Sequence, residues 1–416
     1  MATALPAVDR ARSAERIGAD IATLSGPGYT LARDAIRRYA YTEAYRTTLD
    51  YLARELERLD FEVDEDPVGN FVARNRPQGE PVFGIGSHCD SNRNGGRYDG
   101  TLGVVTALEV CRLNHELGLD LPLQLISFLE EEGSGFGQML LGSRIAAGRV
   151  GEADLHEFRA LDDGRSFWEH AEEAGYEPTR WRECGRILDD LTGWIELHIE
   201  QARVLQDTGH RLGLVTAIAG YVHGDLVIDG RADHAGATPM DFRLDPAPIA
   251  AQVVLELERL ARGAGKGTVG TVGELELEPG VINVVPGRAR LSLDVRGVDE
   301  EAFHGVAEAI VAFAEQAARE RGAVAAYSER QALAATPMDD RIVAALEEAV
   351  RATGEPYVRM PSGAAHDTMC VADRVPAAML FVPCRDGISH SPLEEARPED
   401  AALGAEVMLG AIRSLS

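Results

Sequence analysis

The chain has 416 residues, 45% apolar and 26% charged, with 68 acidic against 41 basic side chains and a net charge of −27. That length exceeds one ordinary core, so two domains are expected, and so acidic a surface repels phosphate backbones and anionic lipid, which argues against nucleic-acid and membrane partners. Five scattered cysteines without CxxC spacing, no apolar leader in Met1 to Gly26 and no apolar run near the ~20 residues of a membrane span make the cytoplasm the expected compartment.

Val8 to Leu24 and Thr42 to Leu59 space their apolar residues as amphipathic helices, and Phe61 to Arg74 alternates as an edge strand or hairpin. Pro81 to Ile85 is an apolar run, so a buried strand is expected from Val82 to Gly86. Just past it come His88, Asp90 and, on a Gly-flanked turn, Asp99. Leu102 to Leu117 reads as a helix and Leu123 to Leu129 as a second buried strand, ending in Glu130-Glu131-Glu132-Gly133. Strand, helix and strand at this spacing predict a crossover in a mainly parallel sheet, and such sheets hold their chemistry beyond the carboxyl ends of the strands. Glu152 to Asp190 reads as polar, peripheral helix, and Trp194 to Ile199 as a third strand carrying His198.

From Gly220 the pattern changes. Tyr221 to Gly230 alternates, Pro246 to Arg262 is helical, Thr268 to Glu278 and Val281 to Arg296 alternate, and Glu300 to Arg321 is helical, with a short strand near Ala323 to Tyr327. The first style then returns in a helix from Asp340 to Ala352, a strand from Ala377 to Val382 and a helix from Ala401 to Leu415. The expected fold is α/β, a discontinuous domain (residues 1–216 and 335–416) with a mainly parallel sheet flanked by helices. An α+β sandwich is inserted at 217–334.

The strand ends carry the candidate chemistry. His88, Asp99, Glu132 and His198 suit a hard or borderline divalent cation, and His390, in the segment after the last strand, adds a fifth donor. Imidazoles with carboxylates favour Zn or Mn over Ca or Mg, and admit Co or Ni. If Asp99 bridges two cations, one takes His88 and His198 and the other Glu132 and His390, while Asp90 orients the His88 ring from behind. Two dications against two ligand carboxylates and a hydroxide leave the centre positive, which favours a developing oxyanion. Glu131, beside Glu132, is the natural general base, although spacing alone leaves open how Glu130, Glu131 and Glu132 divide the work. Cys89 reads as a small buried thiol.

Gly86-Ser87-His88, Asp99-Gly100, Glu131-Glu132-Gly133-Ser134 and Glu196-Leu197-His198-Ile199-Glu200-Gln201 together resemble the dinuclear M20-type metallopeptidase family. The closer match is its branch of N-carbamoyl-L-amino-acid hydrolases, β-ureidopropionases and allantoate amidohydrolases. The likeness continues in His234-Ala235-Gly236-Ala237-Thr238-Pro239-Met240, Asn283-Val284-Val285-Pro286-Gly287, Asp294-Val295-Arg296, Ser362-Gly363-Ala364-Ala365-His366-Asp367 and Gly387-Ile388-Ser389-His390-Ser391-Pro392. The resemblance implies two divalent metal ions per subunit on His88, Asp99, Glu132, His198 and His390, with Glu131 as base. It implies His234 at the oxyanion, Gln201, Asn283 and His366 at the substrate, and Arg296 on a substrate carboxylate, for which a planar fork is suited. Pairing of Arg296 with Asp294 or Glu300 is the competing reading, and His223 reads as structural. It also implies that the inserted domain is a lid and the contact of a homodimer. Gly135 stands where the branch usually has Arg, and Ala202 and Ala365 where it has Gly. None of these removes a ligand or the base, but they bear on which substrate fits.

The expected activity is hydrolysis of the carbamoyl or ureido C–N bond of a small carboxylate such as an N-carbamoyl-L-amino acid. Allantoate hydrolysis, or aminoacylase or dipeptidase activity, is the alternative within the family. A non-catalytic binding protein on the same fold is the alternative outside it.

Overall fold

The computed structural model describes residues 6–265 and 267–416; the first five residues of the N-terminal stretch assessed above for a leader lie outside it, as does Lys266. The chain forms two compact units, one running to Thr216 and resuming at Met338, the other from Ala217 to Pro337. The second unit ends a little beyond residue 334 because Thr336 and Pro337 still pair with Ile218 and Ala217.

In the first unit a nine-stranded sheet has four parallel strands at its centre, in the spatial order Leu123–Phe128, Val82–His88, Leu191–Ile199, Ala377–Val382. Antiparallel strands flank them. The hairpin of Glu62–Glu65 and Phe71–Arg74 joins one side, and Leu212–Ile218 the other. The central strands are buried along nearly their whole length because both sheet faces are covered. On one face lies the helix Thr101–Glu116, buried from Thr101 to Asn114 and packed beneath the helices Arg10–Leu24 and Pro398–Leu415. Gly103 allows it to sit so close, since a Cβ there would lie 2.2 Å from the Leu197 carbonyl oxygen. On the other face Val82, Ile126, Phe128 and Trp194 pack with Ala146, Leu188, Val371 and Val375. The stretch expected as polar helix is broken into Glu152–Glu157, Phe167–Glu173, a 3-10 turn at Pro178–Gly185 and Arg186–Asp189.

The second unit is a five-stranded sheet with Gly220–Asp229 and Arg288–Gly297 side by side at its centre. Both strands alternate buried and outward residues. Their buried set (Leu226, Ile228, Leu291, Leu293) packs on Ile249, Val253 and Leu257 of helix Ala247–Ala264 and on Phe303, Ile310 and Ala314 of helix Glu300–Glu320. This is the period-2 strand against period-3.6 helix that the sequence predicts. A separate ribbon pairs Asp233–His234 with Val284–Val285.

Candidate metal centre

Each central parallel strand delivers one donor at or beyond its carboxyl end. Taken across the sheet these are Glu132 after Leu123–Phe128, His88 ending Val82–His88, His198 on Leu191–Ile199, and His390 after Ala377–Val382. Asp99 enters from the turn before helix Thr101–Glu116 and faces the inner pair of this row with one oxygen and the outer pair with the other. Its Oδ1 lies 3.1 Å from His198 Nε2 and 3.7 Å from His88 Nε2. Its Oδ2 lies 3.5 Å from His390 Nε2, which is itself 3.4 Å from Glu132 Oε2. Donor atoms of His88, Asp99 and His198 fall within 4.8 Å of one another, as do those of Asp99, Glu132 and His390. One carboxylate thus faces two donor groups, one oxygen to each.

Local hydrogen bonds aim the rings. His88 Nδ1 is 3.2 Å from the Asp90 carbonyl oxygen and His198 Nδ1 is 2.9 Å from that of Ile199. A carbonyl only accepts, so both rings hold their proton on Nδ1 and present Nε2 to the centre. Asp90 thus stands behind the His88 ring with both its main chain and its side chain, whose Oδ1 lies 3.5 Å from Nδ1. The Asp90 carboxylate also accepts from the backbone N–H groups of Glu131 and Glu132, at 3.1 and 3.0 Å, and fixes the loop that bears them. Glu131 Oε2 stands 3.6 Å from His88 Nε2. Glu130 points elsewhere, its Oε1 taking the N–H groups of Gly135 and Phe136. Gly100 is required twice: its φ is +61°, and a Cβ on it would lie 2.3 Å from the His88 ring.

Burial, and then neighbouring carboxylates (Asp367 and Glu132 for Glu131, Asp99 for Glu132), pushes both carboxyl groups well above their usual range, although His88 opposes this. Burial alone would make His88 less basic, but Glu131, Asp90 and Asp99 outweigh it and raise the ring well above its ordinary value. Acids crowded in a dry site hold protons unless cations replace them. The donors, three imidazoles with two carboxylates, fit a metal-binding site.

Gln201 lies against the same centre, donating from Nε2 to Asp99 Oδ2 at 2.8 Å and to Ser389 Oγ at 3.1 Å. His366 is buried with its Nε2 3.0 Å from Ser362 Oγ and its ring edge-on to His198, centroids 4.6 Å apart. Burial and the adjacent His198 hold His366 well below its usual pKa, so it is neutral. Glu196, His198 and His366 form a third close group. There the Glu196 oxygens are already taken by the Ser87 hydroxyl and by Thr368 N–H and O–H, so it makes a poor ligand set.

In the second unit His234 and Asn283 are neighbours on the two-stranded ribbon, the Ala235 N–H donating to the Asn283 carbonyl at 3.0 Å. His234 Nδ1 accepts from the N–H groups of Gly236 and Ala237, both at 3.1 Å. Its proton is therefore on Nε2, on an exposed ring. Arg296 is braced by Asp294, with Nε 2.8 Å from Oδ1 and Nη2 2.9 Å from Oδ2, and lies over the Tyr221 ring. His223 stacks on Tyr221 and stands 3.3 Å from Asp294, in the same brace.

Residues 84–414 match Peptidase family M20/M25/M40. The chain belongs to that family. It is 38% identical over 386 residues to an N-carbamoyl-L-amino acid amidohydrolase of Geobacillus stearothermophilus, covering 92% of this chain and 93% of the relative. It is 32% identical over 389 residues to the allantoate amidohydrolase of Bacillus subtilis, covering 92% and 94%. A crystal structure of an amidase of the hydantoinase/carbamoylase family from Burkholderia multivorans superposes with a TM-score of 0.87 at 29% identity, over 98% of each chain.

Within this family member the structure adds supporting residues to which the sequence pattern assigns no role. Glu394 is buried and its Oε1 accepts from the N–H groups of Tyr98 and Asp99, at 2.7 and 2.9 Å. Ser389 donates to Asp99 Oδ2 at 2.6 Å, and Asn92 N–H to Glu132 Oε1 at 3.0 Å. The only hint in the sequence was position: Ser389 and Glu394 flank His390. The departure at Gly135 has a local effect, since a Cβ there would lie 2.9 Å from a Glu130 carboxylate oxygen.

Proposed function

We propose that the chain is a metal-dependent amidohydrolase that cleaves the carbamoyl or ureido C–N bond of a small carboxylate such as an N-carbamoyl-L-amino acid. The observation that carries this is Asp99, one oxygen turned to His88 and His198 and the other to His390, with Glu132 beside that ring and Glu131 next to His88. His88, Asp99, His198, Glu132 and His390 would hold two divalent cations, Zn or Mn, with Co or Ni as substitutes. When bound, such cations polarise the scissile carbonyl and acidify water.

Glu131 takes a proton from the attacking water and returns it to the departing nitrogen. His234, with Nε2–H outward, donates to the oxyanion. Asn283, Gln201 and His366 hold the substrate, and Arg296, kept planar and aimed by Asp294, binds its carboxylate. Hydrolysis of a carbamoyl substrate then yields the amino acid, ammonia and carbon dioxide. The inserted unit acts as lid and as the contact of a homodimer. Its sheet-edge strand Leu275–Glu278 is exposed throughout, as an edge awaiting a partner would be. A solution mass of 44.8 kDa by light scattering, that of a single chain, would remove the dimer. Five buried free thiols fit a reducing, cytoplasmic setting.

The test is a panel of N-carbamoyl-L-amino acids, allantoate, N-acyl amino acids and dipeptides, run on protein loaded with each metal in turn. The highest kcat/KM is expected on a carbamoyl substrate. Preference for allantoate would support the second reading, which the Bacillus relative favours. Tight metal binding with no hydrolysis of any member would count against catalysis.

A further inference from the structure

Arg38 lies outside the matched residues 84–414 and none of the roles above involves it. Its side chain is 1% exposed, among the largest fully buried groups of the protein, yet no ion pair forms to it among the described residues. All its side-chain hydrogen bonds go to neutral oxygens. On the far side Nη1 donates to the carbonyls of Leu24 and Tyr29, at 2.8 and 3.2 Å, and to Thr48 Oγ1 at 3.3 Å. On the near side Nε donates to the Cys89 carbonyl at 2.5 Å and Nη2 to Thr101 Oγ1 at 2.7 Å. Cys89 lies between His88 and Asp90, and Thr101 is two residues past Asp99.

The backbone around Arg38 grips the same loop. Arg38 N donates to Ser91 Oγ at 3.0 Å, Ser91 N donates back to the Arg38 carbonyl at 2.9 Å, and Ile36 and Gly95 exchange both main-chain bonds. Burying an unpaired guanidinium is costly when a neutral side chain could fill the space. What a neutral residue or a lysine lacks is a rigid fork that spans two separate loops at once.

Building on the metal-hydrolase reading, we infer that Arg38 is a positioning residue that locks the His88–Asp90 turn and the Asp99–Thr101 turn at the spacing the metal pair requires. Its effect on turnover passes through His88 and Asp99. Loss of an outer partner of this kind weakens metal binding by ~10–100-fold.

The experiment is titration of the metal-stripped full chain with Co(II), read by ligand-field absorption, with thermal melting followed in parallel. Arg38→Lys and Thr101→Val are expected to raise the apparent Kd for Co(II) by ~10–100-fold, and Thr101→Ser, which keeps the hydroxyl, to restore it. Thr48→Val removes an acceptor of the same guanidinium on the side away from the ligands. It should lower the melting temperature without changing Co(II) affinity. If Arg38→Lys does not fold, the contrast between Thr101→Val and Thr48→Val decides the matter alone. Equal Kd shifts in those two variants, or wild-type affinity in Thr101→Val, would overturn the assignment while leaving the hydrolase reading intact. A wild-type chain that takes up no Co(II) would overturn both.

Discussion

Glu131 and Gly100 put the chemistry within reach of single substitutions. The Glu131 carboxyl is held well above its usual pKa, by burial first and then by Asp367 and Glu132 against the pull of His88. Cations held as proposed would oppose that shift and bring the proposed base closer to its working range. Glu131→Gln keeps the size and the loop but cannot carry a proton. It should retain metal, measured by elemental analysis, and lose ~10²–10⁴-fold in kcat; turnover near wild type would remove Glu131 as the base. Gly100→Ala puts a methyl group into the His88 ring at a backbone conformation with φ +61°. Reduced metal content in a folded protein is expected, and an unchanged metal stoichiometry and affinity would show that the ring can yield. At this scale the five residues that the structure brings together were legible because each lies at or past the end of an apolar strand or on a glycine turn. Glu394, Ser389, Asn92 and Arg38 were not, because they bond to main chain or to another side chain across the fold, and no spacing encodes that.

Strand ends and one helix set the spacing of those residues. Helix Thr101–Glu116 begins two residues past Asp99, so its distance from the Leu191–Ile199 strand also sets the separation of Asp99 from His198. Gly103 controls that distance, with room for no Cβ between helix and Leu197 carbonyl. Gly103→Ala should therefore cost at least the ~1–3 kcal/mol typical of overpacking, in denaturant unfolding, and lower metal affinity with it. A variant as stable as the wild type would mean that helix and strand can part without consequence. The helix and the four central strands could be read from sequence because burial on both sides imposes continuous apolar runs. Two longer strands of the same sheet could not. Leu212–Ile218 runs straight into the changed pattern near Gly220, which hides its end, and Tyr357–Ser362 carries Arg359 and Pro361, neither of them a strand former.

Across the whole molecule the net charge of −27 has a buried counterpart in the first unit, and this couples stability to pH. Burial, followed by nearby acids, raises Glu130 and Asp367 to about 8 and Glu394 to about 7. Burial would lower His88 and His198, but adjacent carboxylates raise both. A group with a raised pKa binds its proton more tightly when folded. Its stabilising contribution is complete below the unfolded pKa and disappears as pH climbs through the folded value. Asp99 runs the other way: burial would raise it, but His198, His88 and His390 lower it, so its contribution is lost only in acid. The balance predicts that metal-stripped protein loses stability between about pH 5 and about pH 8. Bound cations would reverse the trend, because they take the deprotonated carboxylates and add stability that rises with the logarithm of their affinity, which itself grows with pH. Melting curves of stripped and Zn- or Mn-loaded protein from about pH 5.5 to about pH 8.5 should therefore diverge, the loaded form gaining most at the alkaline end. Parallel curves, or a stripped protein that grows more stable as pH rises, would mean that the carboxylates around Asp99 are balanced by something other than bound metal.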